Sequence, residues 1–297
     1  MSIIFGTTNT DGSGSAQDLT EDTGIVISGT GETDGVNHVI LGEGDFGLDF
    51  STIEVDADEW NGVDNKEISI DESADYIRVD NFVDVEIINS AEDGFSHIEV
   101  LNAKRGLIDT SATDSDDSIV IGVNANNNHW SNEFEITTGE GNDTVLMTDV
   151  ARSGYTDLDI NTGEGNDTID LADLHAAASS DQVRHVDGGT GLDVLVTNGD
   201  SVLQFEGIEV VEGQGFEQTQ ILNSDLIADN ADLELGLVMT NISVEFDTDV
   251  SYEVADMSAA QAEYLDELGY DADDFSLVSV STADGDFSVL TDDASFA

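Results

Sequence analysis

The chain has 297 residues, of which 66 are acidic and six basic, for a formal net charge of −60. This balance excludes nucleic acid as a partner, because phosphates must be met by Lys and Arg, and it disfavours an anionic membrane surface. No apolar stretch has spanning length, so membrane insertion is not expected either. Self-repulsion opposes a compact state, yet 39% of residues are hydrophobic. A fold is therefore expected once bound cations or external salt offset the carboxylates.

Along the chain, residues 1–36 are rich in Gly, Thr, Ser and Asp and are expected to form an arm or a strand lent to a neighbour. Their start has no basic region, and its apolar run is short (Ile3, Ile4, Phe5), unlike a secretory signal peptide. Residues 37–250 are expected to form the body. Alternation in Glu67-Ile68-Ser69-Ile70-Asp71 and Asp84-Val85-Glu86-Ile87-Ile88 predicts strands. Proline is absent and glycine numbers 29, so Gly, Asn and Asp must build the turns. Phe95 to Leu101 (FSHIEVL) is similar to Phe205 to Val211 (FEGIEVV), a loose internal repeat.

A tighter repeat lies between them, in the core of the body at 107–215. Thr138 to Thr144 (TGEGNDT) recurs as Thr162 to Thr168 (TGEGNDT) and as Gly188 to Val194 (GGTGLDV), with a degenerate copy ending Asp116-Asp117-Ser118-Ile119. Asp117, Asp143, Asp167 and Asp193 are separated by 26, 24 and 26 residues. A period near 25 predicts an all-β fold, a parallel β-solenoid or β-roll-like stack with one coil per repeat. Coils stacked about 4.8 Å apart would bring the aspartates into a column.

Unit charges about 5 Å apart repel appreciably, and a hard cation offsets that repulsion. Calcium accepts roughly 6–8 oxygens in flexible geometry, where magnesium demands a tighter octahedron. Glycines let several carbonyls converge on one ion. The candidate calcium ligands are Asp117, Gly139, Gly141, Asp143, Gly163, Gly165, Asp167, Gly189, Gly191 and Asp193.

At these positions the chain resembles the calcium-binding nonapeptide repeats of RTX (hemolysin-type) proteins, with consensus G-G-x-G-x-D-x-U-x. Gly188 to Val196 matches every defined position, and Thr138 to Leu146 and Thr162 to Asp170 carry Thr at the first glycine. RTX repeats run in tandem, whereas these copies are one long coil apart, so the β-roll geometry does not carry over directly. The resemblance implies a secreted protein exported through type I secretion by an uncleaved C-terminal signal. The tail from Asp273 to Ala297, acidic and without basic residues, fits that expectation. Calcium at about 100 times a site's dissociation constant adds about 2.7 kcal/mol per site, enough for a few sites to switch folding on outside the cell.

Residues 251–297 are expected to form a C-terminal α/β cap. Ser258 to Gly269 carries a Ser N-cap, good helix formers and a terminal Gly, and strand-like alternation follows. No H-E-x-x-H, G-x-S-x-G or phosphate loop is present. His38, His97, His129, His175 and His185 are dispersed, and no catalytic activity is expected. Lys104-Arg105 is the one clustered basic pair that a calcium-dependent polysaccharide lyase would require. Trp60 and Trp130 are expected to be partly buried. The resulting expectation is an extracellular structural protein, a surface-layer, biofilm-matrix or filament subunit. It would self-associate into a homopolymer or lattice through calcium and strand edges, with cell-surface polysaccharide as a further candidate ligand. A monomeric adhesin or host-directed effector is the alternative.

Overall fold

The computed structural model describes residues 67–296, apart from 72–74, 81, 90–95, 113, 123–131, 149–155, 175–181, 200–202 and 282–285. It also describes the backbone of five earlier strands, Ser2–Phe5, Ser15–Asp18, Ile25–Ser28, His38–Leu41 and Ile53–Asp56. From His38 to Glu206 the chain alternates between a nine-stranded and a thirteen-stranded sheet, and each strand pairs in parallel with its equivalents one coil away. Thus Asn132–Glu140 lies in the nine-stranded sheet between Arg105–Asp109 and Thr156–Gly165, while Thr144–Thr148 lies in the other between Ser118–Gly122 and Thr168–Asp170. This is the expected all-β solenoid.

Alternation in the sequence sets the two faces. In Asn132–Glu140 the residues Asn132, Phe134, Ile136 and Thr138 point inward and are buried. Pairing stacks Ile87, Ile108, Ile136, Ile160, Val186 and Phe205 into one inward row. Opposite runs Ile98, Ile119, Val145, Ile169, Leu195, Val211 and Met239. All belong to one continuous core. Burial of such side chains stabilises by about 1.5–3 kcal/mol each, and a one-residue slip would turn a whole strand's apolar set outward. Register is therefore strongly fixed.

Two details differ from the sequence reading. Ile25–Ser28 pairs in parallel with Ile53–Asp56, so the thirteen-stranded sheet takes in a strand from the segment expected to be an arm. Trp60, Trp130, His129, His175 and the inter-strand parts of 1–36 lie outside the described residues. The loose FSHIEVL and FEGIEVV similarity is not a structural repeat. Pairing carries His97 through Ser118, Thr144, Thr168 and Val194 to Val210, whereas the sequence match would carry it to Gly207.

The C-terminal segment closes the stack. Asp286–Thr291 adds in parallel to Leu237–Thr240, and Ser276–Ser281 and Ser251–Ala255 follow in antiparallel steps. The expected helix spans Ala259–Leu268. Ser258 and Gln261 form a capping box, and Gly269 closes the other end at φ 89°. Its Leu265 packs with Val210, Val238, Leu277 and Leu290 in a second apolar cluster, covering the outer face of the sheet. Deleting Ser276 to Ala297 would uncover Val238 and leave Leu237–Thr240 unpaired on that side. Thermal melting followed by circular dichroism is expected to show a lower, less cooperative transition for the truncated chain than for the full one.

Candidate metal centre in the stacked turns

Three successive turns from the nine-stranded to the thirteen-stranded sheet contain the Gly-x-Gly-x-Asp sequence, and the turn before them keeps its Asp117. Pairing sets Gly139 against Gly163 and Gly165 against Gly191, then Ser118, Thr144, Thr168 and Val194 in line beyond the turns. The ten residues singled out from sequence are thereby brought into adjoining layers. Gly165 and Gly191 adopt φ of 151° and 147°. A Cβ on Gly165 would lie 1.5 Å from the Gly141 carbonyl oxygen, and one on Gly191 would lie 1.4 Å from that of Gly165. Only glycine lets the carbonyls of one coil approach the next this closely.

Three polar ladders tie the layers together. Inside, Asp117, Asp143, Asp167 and Asp193 are each at most 2% exposed. Each carboxylate reaches back one coil, with Oδ1 accepting a backbone N–H. Ser96 donates to Asp117 at 3.0 Å, Asp117 to Asp143 at 2.7 Å, Asp143 to Asp167 at 2.7 Å and Asp167 to Asp193 at 2.8 Å. Outside, the adjacent position works in the opposite direction. Asp116 Oδ1 accepts from the Asn142 N–H at 2.6 Å, Asn142 Oδ1 from Asn166 at 3.0 Å, and Asn166 Oδ1 from Leu192 at 2.9 Å. A third row is made by hydroxyls: Thr138 donates to the Thr162 carbonyl at 2.8 Å and Thr162 to that of Gly188 at 3.0 Å.

Sequence reasoning missed both ends of the inner column. Ser96 opens it, held by the Asn89 side-chain amide at 2.6 Å. Glu209 closes it, its Oε2 accepting the Asp193 N–H at 2.7 Å. Glu209 lies only 16 residues beyond Asp193, so the period gave no signal for it. The outer Asn ladder is carried by the same repeated Gly-Asn-Asp, whose sequence alone does not distinguish it from an ordinary turn.

The column is electrostatically costly. The second carboxylate oxygens of Asp143, Asp167 and Asp193 are buried and accept no hydrogen bond, and the nearby Thr138 and Thr162 hydroxyls donate to carbonyls. Burial pushes the Asp143 carboxyl up to about 6 and that of Asp193 up to about 7. Asp167 and Glu209 are raised for the same first reason. Exposed Asp116 is instead held below its usual range by hydrogen bonds from the Asn142 backbone and side-chain amide.

Calcium fits this donor set on three counts. The donors are all hard oxygens, several buried carboxylate oxygens lack a partner, and glycine carbonyls crowd toward the same turns. Among the described residues no three His, Asp or Glu side chains cluster into a metal-binding group. An ion in these turns would therefore draw on backbone carbonyls as well as the aspartates. The lyase pair has no such setting. Arg105 lies on the outer face of the nine-stranded sheet, at the strand end away from the turns, and its guanidinium Nη2 donates to Asp84 Oδ2 at 2.7 Å. No protein-family model, curated protein or solved structure matches this chain.

Two outcomes follow from the geometry. Gly165→Ala should lower stability by more than about 1 kcal/mol, the reverse of the gain the same change brings where the backbone admits Ala, because neither its φ nor its space admits a Cβ; chemical denaturation measures it. In chelator, the raised carboxyls bind protons more tightly in the folded than in the unfolded chain. Their stabilisation is complete below about pH 4 and is lost as pH rises through about 6 to 7. Melting temperature of the metal-free protein should therefore fall between pH 4 and pH 8.

Proposed function

We propose that this is an extracellular calcium-binding structural protein of RTX type, folding outside the cell and assembling with further copies of itself. The observation that carries the reading is the buried aspartate column with partnerless oxygens at Asp143, Asp167 and Asp193, in a chain whose net charge is −60. The residues that would hold the ions are Asp117, Asp143, Asp167 and Asp193, with the carbonyls of the glycine turns at Gly139, Gly141, Gly163, Gly165, Gly189 and Gly191. Bound calcium supplies positive charge where these carboxylates otherwise face one another across successive coils. The carboxylates orient the turn backbone through their Oδ1 contacts, and the glycines give the carbonyls their approach. Export by a C-terminal signal is part of the same proposal. The segments that would carry it, Ser276–Ser281 and Asp286–Thr291, pack into the cap, so they would be legible only before folding.

Isothermal titration calorimetry with calcium tests the proposal through Asp143→Asn combined with Asp167→Asn. Asn preserves the accepting oxygen and removes the charge. The expected result is at least a tenfold loss of calcium affinity, together with an unchanged or higher melting temperature in chelator at pH 8. Calcium binding equal to that of the unaltered chain would sink the reading.

A further inference from the structure

The two sheets end differently. At one end of the nine-stranded sheet, the short helix Ser224–Asp229 packs against Gln204–Glu206, with Leu226 and Ile227 buried and Asn230 Nδ2 donating to the Phe205 carbonyl at 2.6 Å. At its other end, Ser2–Phe5 of the N-terminal hairpin lies beside His38–Leu41. The thirteen-stranded sheet ends at Ile25–Ser28 and at Ser251–Ala255, and among the described residues no further strand pairs with either.

The Ser251–Ala255 edge is also exposed in its side chains, with the Tyr252 ring resting on Phe246 at 4.6 Å and Phe296 at 5.8 Å between centroids. Its first four residues are exposed and its last half-buried. Tyr252 and Val254, at 52% and 56% exposure, are two of four large apolar residues left exposed among those described. Natural edge strands are commonly blunted by proline, lysine or charge. This strand has no proline, no lysine and one carboxylate, Glu253, while Ile25–Ser28 has no charged residue at all. In a chain with 66 acidic residues, these two edges are where copies could meet with little repulsion.

Strand direction also matches. Asp286–Thr291 is parallel to the solenoid strands, and two antiparallel steps then restore that direction at Ser251–Ala255. A strand added there in parallel would run as Ile25–Ser28 runs beside Ile53–Asp56. We propose that Ser251–Ala255 of one copy accepts Ile25–Ser28 of the next, continuing the thirteen-stranded sheet head to tail across molecules. The contact is strand addition, and because its two surfaces differ it builds a ring or an open filament rather than a symmetric dimer. It deepens the self-assembly part of the proposed function and rests on that part, not on calcium coordination.

The test uses two variants of the full chain, Val254→Asp and Ile27→Asp, in sedimentation velocity with calcium. The unaltered protein should form species that grow with concentration. Each variant alone should retain the native circular dichroism spectrum and remain at the 31.5 kDa monomer mass, because an unpaired carboxylate in the junction opposes pairing at one of its ends. A one-to-one mixture should stop at dimers, since each partner supplies the end the other lacks. Should Ile27→Asp disturb folding, Val26→Asp at the adjacent position of the same strand replaces it. A second measurement uses the absence of cysteine: mixed Val254→Cys and Ile27→Cys chains should form mainly the mixed disulfide on oxidation. A concentration-independent monomer of the unaltered chain, dimers of Ile27→Asp alone, or mainly like-with-like disulfides each overturn the junction. Calcium calorimetry on the same samples stands apart, because a monomer that binds calcium contradicts the junction alone, and a filament without calcium affinity contradicts the metal reading alone.

Discussion

Stacked carboxylates under the turns are the constraint on which the molecule depends. A parallel solenoid places every equivalent residue about 4.8 Å above the last, so an inward Asp in the repeat becomes a line of like charges in low dielectric. Half of each charged group is accommodated by a backbone N–H from the coil before it. The remaining oxygens at Asp143, Asp167 and Asp193 have none. Burial of this kind favours either a proton or a cation, and that choice links the fold to its surroundings.

The same repetition that creates the cost also distributes the stabilisation. Asp side chains reach back one coil while Asn142 and Asn166 offer their oxygens to the coil ahead, so neighbouring layers are clasped in both directions. The glycines between them admit carbonyls that any Cβ would displace. Apolar rows on the two facing sheets continue through the stack and supply the nonpolar part of its stability. Because contacts run mainly between adjacent coils, stability is approximately a sum of coil and interface terms. The ends then need separate solutions. Ser96 and Glu209 terminate the inner column, Ser224–Asp229 covers one sheet end, and the C-terminal strands extend the other.

Much of this was legible in the residues. The TGEGNDT copies carry their own register, because a fixed period and an alternating pattern leave one way to stack them with Ile136 and Ile160 inside. The helix between Ser258 and Gly269 was legible because capping is local chemistry. Elements set by tertiary context were not. Glu209 enters the column from a shorter coil, so spacing pointed away from it. Arg184, 1% exposed, occupies an inward position paired with Leu158 and donates from Nε to the Thr156 carbonyl at 2.9 Å. A guanidinium in that apolar row contradicts the pattern that located the strand. The FSHIEVL similarity misled because HIEVL of one copy is a single strand, His97–Leu101, while the other copy spans a strand end, the turn at Gly207 and a strand start.

Anomalous X-ray diffraction from crystals grown in calcium tests the central claim most directly. The expected result is a line of anomalous peaks between successive turns, each within coordination distance of an aspartate oxygen and glycine-turn carbonyls. A well-ordered, calcium-soaked stack with its aspartates as described and no peak in the turns would contradict it. The buried carboxylates would then be held by backbone N–H groups and protons alone.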